Sequence, residues 1–235
     1  MSKGKLYLIP SPLGDYDPSL VIPAGTLAVL RSLELFVVEE TRTARRYLSA
    51  AGLKGHIADL EFHELNEHSS SEDAKALLPL FERGDVGLIS EAGLPAVADP
   101  GAALVALCHR NGIEVVPLVG PSSLMLALMA SGLDGQSFAF RGYLPVKAEE
   151  RRSALKRCEK DSASLHQTQI FIETPYRNDA LLKEMLECLG KDTRLCIAAD
   201  ITMEDAFIST RRVAEWRKTE ITIGKRPCVF LILAQ

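Results

Sequence analysis

The first half of the chain alternates between short apolar runs and segments with helical spacing. The apolar runs predict strands at residues 5–9, 35–38, 62–64, 86–89 and 115–118. Apolar positions that recur every three or four residues predict helices at 24–32, 41–51, 72–82 and 100–111. Strands that alternate with helices through short connections are typical of a parallel sheet with helices on both faces.

The pattern changes after Pro121. An almost wholly apolar helix is predicted at 122–131, followed by strands at 138–143, 169–173, 195–199 and 229–233 and helices at 149–159 and 178–189. This spacing favours an α+β unit with a mixed sheet that includes antiparallel pairs. We therefore predict a two-domain α/β protein, with an N-terminal α/β domain over 1–120 and a C-terminal α+β domain over 121–235.

Two predicted strands of the first domain end in turns rich in Gly, Pro and Ser. One strand leads into Ser90-Glu-Ala-Gly-Leu-Pro95, and the other leads into Val119-Gly-Pro-Ser-Ser123. Ligands of open parallel sheets bind at the carboxyl ends of the strands, so the two turns indicate one shared pocket. Gly93 permits a close approach or a positive φ. Such a turn suits an adenosine-type ligand without a phosphate, although a purely structural turn explains the pattern equally well.

The same turns disfavour the common nucleotide sites. The first turn, Ile9-Pro-Ser-Pro-Leu-Gly-Asp15, is rich in proline where a dinucleotide-binding turn is rich in glycine. Pro12 also has no N–H group to offer a phosphate. The chain contains no Gly-x-x-x-x-Gly-Lys-Ser/Thr motif. Nicotinamide, flavin and P-loop ATP sites are therefore not expected.

The composition is that of an ordinary globular protein, with 47% hydrophobic and 25% charged residues. A net charge of −4 disfavours nucleic-acid binding through bulk charge and leaves room for a local basic face. The five cysteines form no C-x-x-C pair and no His lies at zinc spacing, so we expect a reduced cytosolic protein without a metal. Prolines and a glycine interrupt the most apolar window, 113–133, so no membrane span is expected.

A series of motifs along the chain resembles one family when the motifs are taken together and in order. They are Leu6-Tyr-Leu-Ile-Pro-Ser-Pro-Leu-Gly-Asp15, Glu39-Glu-Thr-Arg42, Leu88-Ile-Ser-Glu-Ala-Gly-Leu-Pro95, Asp99-Pro-Gly101, Val116-Pro-Leu-Val-Gly-Pro-Ser122, Gly142-Tyr-Leu-Pro-Val-Lys147 and Glu173-Thr-Pro-Tyr-Arg177. On these motifs the chain resembles the tetrapyrrole methylase superfamily of S-adenosylmethionine enzymes. It is most similar to the branch that methylates a ribose 2′-hydroxyl in small-subunit ribosomal RNA. The resemblance implies two α/β domains with the cofactor in the cleft between them, and a homodimer.

The resemblance also implies which residues contact S-adenosylmethionine. They are Pro12, Ala92, Gly93, Leu94, Val97, Ser122, Ser123, Tyr176, Ala199 and Asp200. The chain departs from the family at three places. Tetrapyrrole enzymes have Gly-Asp-Pro where this chain has Gly93-Leu94-Pro95, which disfavours a corrin or porphyrin substrate. The RNA branch has a first-turn Asn where this chain has Asp15, and an Arg-Glu-Leu-Thr-Lys-like run where this chain has residues 199–204.

Basic residues form two clusters along the chain. Arg42, Arg45 and Arg46 make the first, and the second consists of Lys147, Arg151, Arg152, Lys156 and Arg157. The second cluster lines one side of a predicted helix, with Lys147 at its entry. It is either a solvated helix face or a surface that positions RNA phosphates. Tyr143 beside it is either a core residue or a ring on which a base stacks.

Glu39 and Glu40 end a predicted strand, so at least one carboxylate is expected to face the ligand. A 2′-hydroxyl is a poor nucleophile and benefits from a nearby base. Glu40 and Lys147 are candidate catalytic residues for this role, with Arg42 orienting the acceptor, and Glu91 is a further candidate. A surface ion pair of Glu40 with Arg42 or Arg45 explains the same residues.

These observations predict a cytosolic methyltransferase that uses S-adenosylmethionine and acts on a ribose 2′-hydroxyl of ribosomal RNA. Two alternatives stay open. One is a methyltransferase that acts on a tetrapyrrole or another small molecule. The other is a non-catalytic cofactor-binding protein whose acceptor side has changed at residues 199–204.

Overall fold

A computed structural model describes residues 3–235, which divide into two compact units at Ser122/Ser123. The first unit contains five strands and four α-helices. In chain order they are β1 (Leu6–Ile9), α1 (Ala24–Arg31), β2 (Leu35–Val38), α2 (Thr41–Leu48), β3 (Glu61–Glu64), α3 (Ser71–Ala76), β4 (Val86–Ile89), α4 (Gly101–Arg110) and β5 (Val115–Pro117).

The strands of the first unit form one parallel sheet in the order β3-β2-β4-β1-β5. Phe36 and Val38 of β2 pack with α1 and α2 on one face. Leu35 and Val37 of the same strand pack with α3 and α4 on the other face. Alternate residues of a strand point to opposite faces, so both faces of this sheet are buried. The predicted parallel sheet with helices on both faces is confirmed.

The second unit contains four α-helices and a second sheet of five strands. In chain order they are α5 (Ser123–Ser131), β6 (Phe138–Tyr143), α6 (Ala148–Leu165), β7 (Thr168–Ile172), α7 (Asn178–Cys188), β8 (Arg194–Ala199), β9 (Phe207–Arg212), α8 (Val213–Trp216) and β10 (Cys228–Leu233).

The second sheet is mixed and has the order β6-β7-β10-β8-β9. Strands β6 and β7 are parallel, and the other neighbouring pairs are antiparallel. Phe171 of β7 and Phe230 of β10 belong to a core formed with α6, α7 and α8, while α5 packs against β8, β9 and β10. The predicted mixed sheet is confirmed.

Two details of the predicted elements are wrong. The single helix predicted at 72–82 is two elements, because α3 ends at Ala76 and a 3₁₀ turn follows at Leu78–Glu82. Pro79 has no N–H for an α-helical bond, and its ring disfavours the helical conformation of the residue before it. Strand β9 and helix α8 were not predicted, since their segment mixes polar and apolar residues without a clear period.

Candidate active site

The strand order of the first unit creates a crevice at the carboxyl end of β4. Helix α4, which follows β4, packs on one face of the sheet. Helices α1 and α2, which follow the neighbouring strands β1 and β2, pack on the other face. Segments that leave adjacent parallel strands toward opposite faces open a crevice, and open α/β sheets bind their ligands in such crevices. The loops after β1, β2 and β4 therefore surround one candidate ligand site.

The loops after β1 and β4 are joined across this crevice by main-chain hydrogen bonds. The Ser11 N–H donates to the Gly93 carbonyl (2.8 Å), and the Gly93 N–H donates to the Ser11 carbonyl (3.1 Å). The buried Ser11 hydroxyl donates to the Ser90 carbonyl at 2.8 Å. Gly93 has a φ of +76°, which glycine adopts without strain. This bridge brings together the predicted cofactor residues on either side of it, Pro12, Ala92, Gly93 and Leu94.

The loop after β5 lies against the loop after β1. A β-carbon on Gly120 would lie 2.3 Å from Cβ of Pro10, so only glycine permits this approach. The Thr26 hydroxyl donates to the Val119 carbonyl at 2.9 Å, and the Tyr47 hydroxyl donates to the Pro10 carbonyl at 2.8 Å. The β5 loop runs on to Ser122, which ends the first unit. The structure therefore brings the two predicted turns to the same edge of the sheet through the loop after β1, and the shared ligand pocket stays a prediction.

The loop between β4 and α4 adopts an unusual backbone that one carboxylate holds in place. Ala96 and Ala98 have φ values of +64° and +61°, which cost energy in residues with a side chain. Asp99 Oδ1 accepts from the N–H groups of Ala96 (2.9 Å) and Gly101 (2.7 Å). Burial raises the pKa of this carboxyl. Val97, a predicted cofactor residue, lies between the two strained alanines and is partly exposed.

The structural role of Asp99 was not predicted, although the sequence contains a signal for it. An Asp followed by Pro and Gly ahead of a helical pattern is a typical turn and capping sequence. The structural role of Asp99 follows from that chemistry, because its side chain accepts from the Gly101 N–H at the start of α4.

Glu40 serves as the N-cap of α2. Its carboxylate accepts from the N–H groups of Arg42 (2.8 Å) and Thr43 (2.6 Å), and from the Thr43 hydroxyl (2.6 Å). The hydrogen bond from the Thr43 hydroxyl, with those from the backbone, lowers the pKa of Glu40. Neither a Glu40–Arg42 nor a Glu40–Arg45 ion pair forms within the described residues. Arg42 contacts this carboxylate through its backbone N–H. A carboxylate with a lowered pKa is a weak base, so the catalytic role of Glu40 stays a prediction that has a structural competitor.

Two further carboxyl groups, those of Glu39 and Glu91, lie at the crevice beside Glu40. They line a small cavity with Glu40, Ser11, Tyr47 and Ser90 at the ends of β1, β2 and β4. The Glu39 carboxylate accepts from the Glu91 N–H at 2.8 Å. Burial raises the pKa of both carboxyls. Raised pKa values in a cleft are typical of functional carboxyls. Of the carboxyl candidates from the sequence, these two therefore match the requirements of a base better than Glu40.

The basic cluster on α2 is exposed. Arg42, Arg45 and Arg46 point to solvent and form no salt bridge within residues 3–235. The Arg45 guanidinium lies over the ring of Phe62, 5.2 Å from its centroid. Since α2 begins directly after β2, this positive surface starts at the ligand edge of the sheet. Arg42 therefore lies at the start of α2, near the candidate site, and its role in orienting the acceptor stays a prediction.

In the second unit, three predicted cofactor residues lie at one edge of the mixed sheet. Ala199 ends β8 and pairs with the first residue of β10, and Asp200 follows it with a φ of +50°. The Asp200 carboxylate forms a salt bridge with Arg226 in the loop that leads into β10. Lys225 in that loop lies 4.9 Å from the ring centroid of Tyr176, which follows β7 and is largely exposed. Ser123 begins α5 in the same unit.

The prediction for one residue of the second basic cluster is wrong. Arg151 is not part of an exposed helix face, because it is buried and forms two hydrogen bonds with Glu184 of α7, at 2.6 and 2.8 Å. It also donates to the carbonyls of Pro145 (3.3 Å) and Val146 (2.7 Å). The other members of the cluster are exposed, and Arg152 and Lys147 form surface pairs with acidic neighbours on the helices.

Several features are absent from residues 3–235. This part of the chain contains no group of three or more His, Cys, Asp or Glu side chains that could hold a metal ion. None of its helices is both long and apolar enough to cross a membrane. All five cysteines lie in this part and are free thiols.

Comparison with known proteins shows which class this architecture belongs to. Residues 5–215 match the family model of the tetrapyrrole (corrin/porphyrin) methylases, so the chain belongs to that family. The resemblance predicted from the motifs is confirmed, and the protein is a methyltransferase.

The chain has similar relatives in bacteria. It is 34% identical over 211 residues to the ribosomal RNA small subunit methyltransferase I of Vibrio cholerae, which covers 89% of this chain and 69% of that protein. It is 36% identical over 200 residues to the protein of the same name from Thermotoga maritima, with 85% and 84% covered. The fold is similar to uroporphyrin-III C-methyl transferase from Thermus thermophilus in complex with S-adenyl homocysteine (TM-score 0.58, 18% identity, 98% of this chain and 97% of that one).

Proposed function

We propose that this protein transfers a methyl group from S-adenosylmethionine to a ribose 2′-hydroxyl of small-subunit ribosomal RNA. The observation on which this rests most is the identity of about a third to relatives that are named for ribosomal RNA methylation, over 85–89% of this chain. The loops after β1, β4 and β5 at this edge of the sheet support it, because they are fixed by main-chain contacts and lack the glycine spacing of a phosphate site.

The residues of the crevice suit a positively charged donor without phosphates. Glu39 and Asp99 bring two partly buried carboxyls to this edge, and neither forms a salt bridge within the described residues. When bound, S-adenosylmethionine supplies an electrophilic methyl group on a positively charged sulfur. We propose contacts to Pro12, Ala92, Gly93, Leu94, Val97 and Ser122 in the first unit, and to Ser123, Tyr176, Ala199 and Asp200 in the second.

The protein's part in the reaction is to align the acceptor and to accept its proton. The acceptor oxygen forms a bond to the methyl carbon as the carbon–sulfur bond breaks, and the hydroxyl proton leaves to a base. Alignment of this kind contributes on the order of 7–11 kcal/mol in oriented intramolecular reactions. We propose Glu91 or Glu39 as the base, because burial raises the pKa of both carboxyls. Arg42 would orient the acceptor, and Glu40 and Lys147 stay the competing candidates.

The direct test is transfer of a labelled methyl group to small ribosomal subunits that lack the modification. Nuclease digestion and mass spectrometry should place the label on a ribose. Label on an added porphyrinoid instead of RNA would favour the tetrapyrrole alternative. Tight cofactor binding by calorimetry without transfer to either acceptor would favour a non-catalytic protein.

We further propose a homodimer that works in the cytoplasm. Free thiols suit a reducing compartment. In the second unit Met125 and Met129 of α5 are 43% and 76% exposed, and residues four apart share one face of a helix. Contiguous exposed apolar surface marks protein–protein interfaces. Sedimentation equilibrium tests the dimer. Replacing Met129 with Glu should shift the protein toward a monomer, and a wild-type protein that sediments as a monomer at micromolar concentration would rule the dimer out.

A further inference from the structure

The strand β6 contains a bulge next to Tyr143. Phe140 of β6 lies opposite Ile170 of β7, but Tyr143 lies opposite Ile172, so β6 has one residue more than β7 over this stretch. The bulge includes Gly142, whose φ is +68°. A β-carbon on Gly142 would contact nothing within 4 Å, so the backbone conformation and not a lack of space explains the glycine.

The bulge changes the direction in which Tyr143 points. Side chains of a strand alternate between the faces of a sheet, and directly paired residues share a face. Phe171 of β7 faces the core formed with α6, α7 and α8, so Ile172 faces the other side. Without the extra residue, Tyr143 would lie one position further along and on the face of Phe171. With it, the ring shares the face of Ile172, and the residue is 57% exposed.

A cation follows Tyr143 at a short and fixed distance along the chain. Lys147 precedes α6, and its side chain is 81% exposed. The segment between them is held by the buried Arg151, which donates to the carbonyls of Pro145 and Val146. The surface ion pair of Lys147 with Glu150 (3.3 Å) is exposed, and pairs of that kind are weak enough to yield to a phosphate.

We propose that Tyr143 and Lys147 form a binding surface for an unpaired nucleotide of the RNA substrate, with the ring stacking on the base and the ammonium group contacting a phosphate. This inference rests on the proposed function. Bases within an RNA helix are stacked on each other and offer no free face, whereas bases of loops and single strands stack on exposed aromatic rings. An exposed ring that is aimed by a bulge and followed by an exposed cation therefore matches single-stranded RNA.

The test compares Tyr143→Leu with Tyr143→Phe, using fluorescence anisotropy with a short single-stranded oligoribonucleotide and with a hairpin duplex. Stacking needs the ring and not the hydroxyl, so Tyr143→Leu should raise Kd for the single strand about tenfold, while Tyr143→Phe stays within about twofold of wild type. Lys147→Gln should reduce the salt dependence by about one phosphate contact. Phe138→Leu, at the start of the same strand, is the control and should bind the single strand like wild type.

Two results would overturn the inference. One is unchanged single-strand affinity in Tyr143→Leu. The other is an equal loss in the Leu and Phe variants, because a lost hydroxyl would then explain the effect. If Tyr143→Leu alters only the sedimentation of the protein, the ring belongs to an interface with a second copy.

Cofactor affinity and thermal melting should match wild type in Tyr143→Leu and Tyr143→Phe. This control separates lost stacking from misfolding. Failure of the proposed function is distinguishable. If no RNA accepts the methyl group but single-strand affinity still depends on the ring, the binding surface stands without the activity. If transfer occurs and Tyr143→Leu leaves RNA affinity unchanged, the activity stands without the surface.

Discussion

The two sheets present different kinds of chemistry at the edges where β1 and β4 end in the first unit and β7 and β8 end in the second. In the first unit the edge is built from main chain, since Ser11 and Gly93 exchange two backbone hydrogen bonds and Gly120 lies against Pro10. In the second unit the edge is built from charged side chains, with Arg226 paired to Asp200 and Arg177 paired to the buried Glu173. Main-chain contacts depend on conformation, whereas ion pairs depend on the presence of both partners. The two edges should therefore fail in different ways when they are mutated.

The largest effect is expected for a third ion pair of the second unit, the buried pair of Arg151 in α6 with Glu184 in α7. Arg151→Met leaves the Glu184 carboxylate buried without its partner, which should lower the free energy of unfolding by about 3–5 kcal/mol. Urea denaturation measures this change. Replacing both partners, Arg151→Met with Glu184→Leu, should restore most of the loss. The matched control is Arg152→Met, whose pair with Glu187 is exposed and should contribute at most about 1 kcal/mol. Equal losses in the two single variants would contradict the buried role of Arg151.

The next effect tests the main-chain edge of the first unit. Gly93→Val forces a β-branched residue into a φ of +76° and places a β-carbon 3.3 Å from Leu13. We expect the Kd for S-adenosylmethionine to rise on the order of 100-fold, measured by calorimetry. Gly25→Ala is the control, because a β-carbon there meets nothing within 4 Å in α1, and it should stabilise the protein by up to about 1 kcal/mol. Unchanged cofactor affinity in Gly93→Val would refute this placement of the cofactor.

A smaller effect concerns the charge of the crevice. Burial raises the pKa of Glu39 above its ordinary value of 4.5, so the carboxyl is neutral below that raised pKa and negative above it. A positively charged donor prefers the negative form. The affinity of the protein for S-adenosylmethionine should therefore increase by about three- to tenfold as the pH rises through the raised pKa of Glu39. In Glu39→Gln the increase should be absent or much smaller, and an identical pH profile in the variant would exclude Glu39 as its source.

The smallest effect separates a helix cap from a catalytic base. Glu40→Ala removes the N-cap of α2 and should lower the free energy of unfolding by about 1 kcal/mol. Glu40→Ser keeps a capping oxygen but removes the carboxylate, so it should be close to wild type in stability. If the rate of methyl transfer at saturating substrates is also unchanged in Glu40→Ser, Glu40 is only a cap. A large loss of rate in this stable variant would restore its catalytic role.

The parts of the fold that sequence predicted well are those with a clear hydrophobic period. The strand at 86–89 is an apolar run that ends in a turn sequence, and it lies in the structure as Val86–Ile89. By contrast β9 carries Ser209, Thr210 and two arginines at the edge of its sheet, where little burial is required. Its pairing with β8 comes from backbone hydrogen bonds, which no side-chain pattern reports.

The predicted turns lie together at one sheet edge in the structure, but the exposed position predicted for Arg151 is wrong. A signal for the buried position of Arg151 was present, because Ala154, Leu155 and Cys158 follow it at the spacing of one helix face. A cationic residue on an apolar face requires a partner, but its partner Glu184 lies 33 residues away on another helix. Long-range pairs of this kind depend on tertiary packing, so sequence periodicity alone does not identify them.

The close approach of Gly120 to Pro10 limits which substitutions such an enzyme accepts during evolution. A loop that is positioned by backbone against a proline ring tolerates almost no substitution at the contact, and it keeps its shape when residues elsewhere vary. Exposed side chains such as Tyr143 and Lys147 have no comparable constraint. Exposed residues such as these are thus free to vary between relatives, while the geometry of the loops after β1 and β5 is kept.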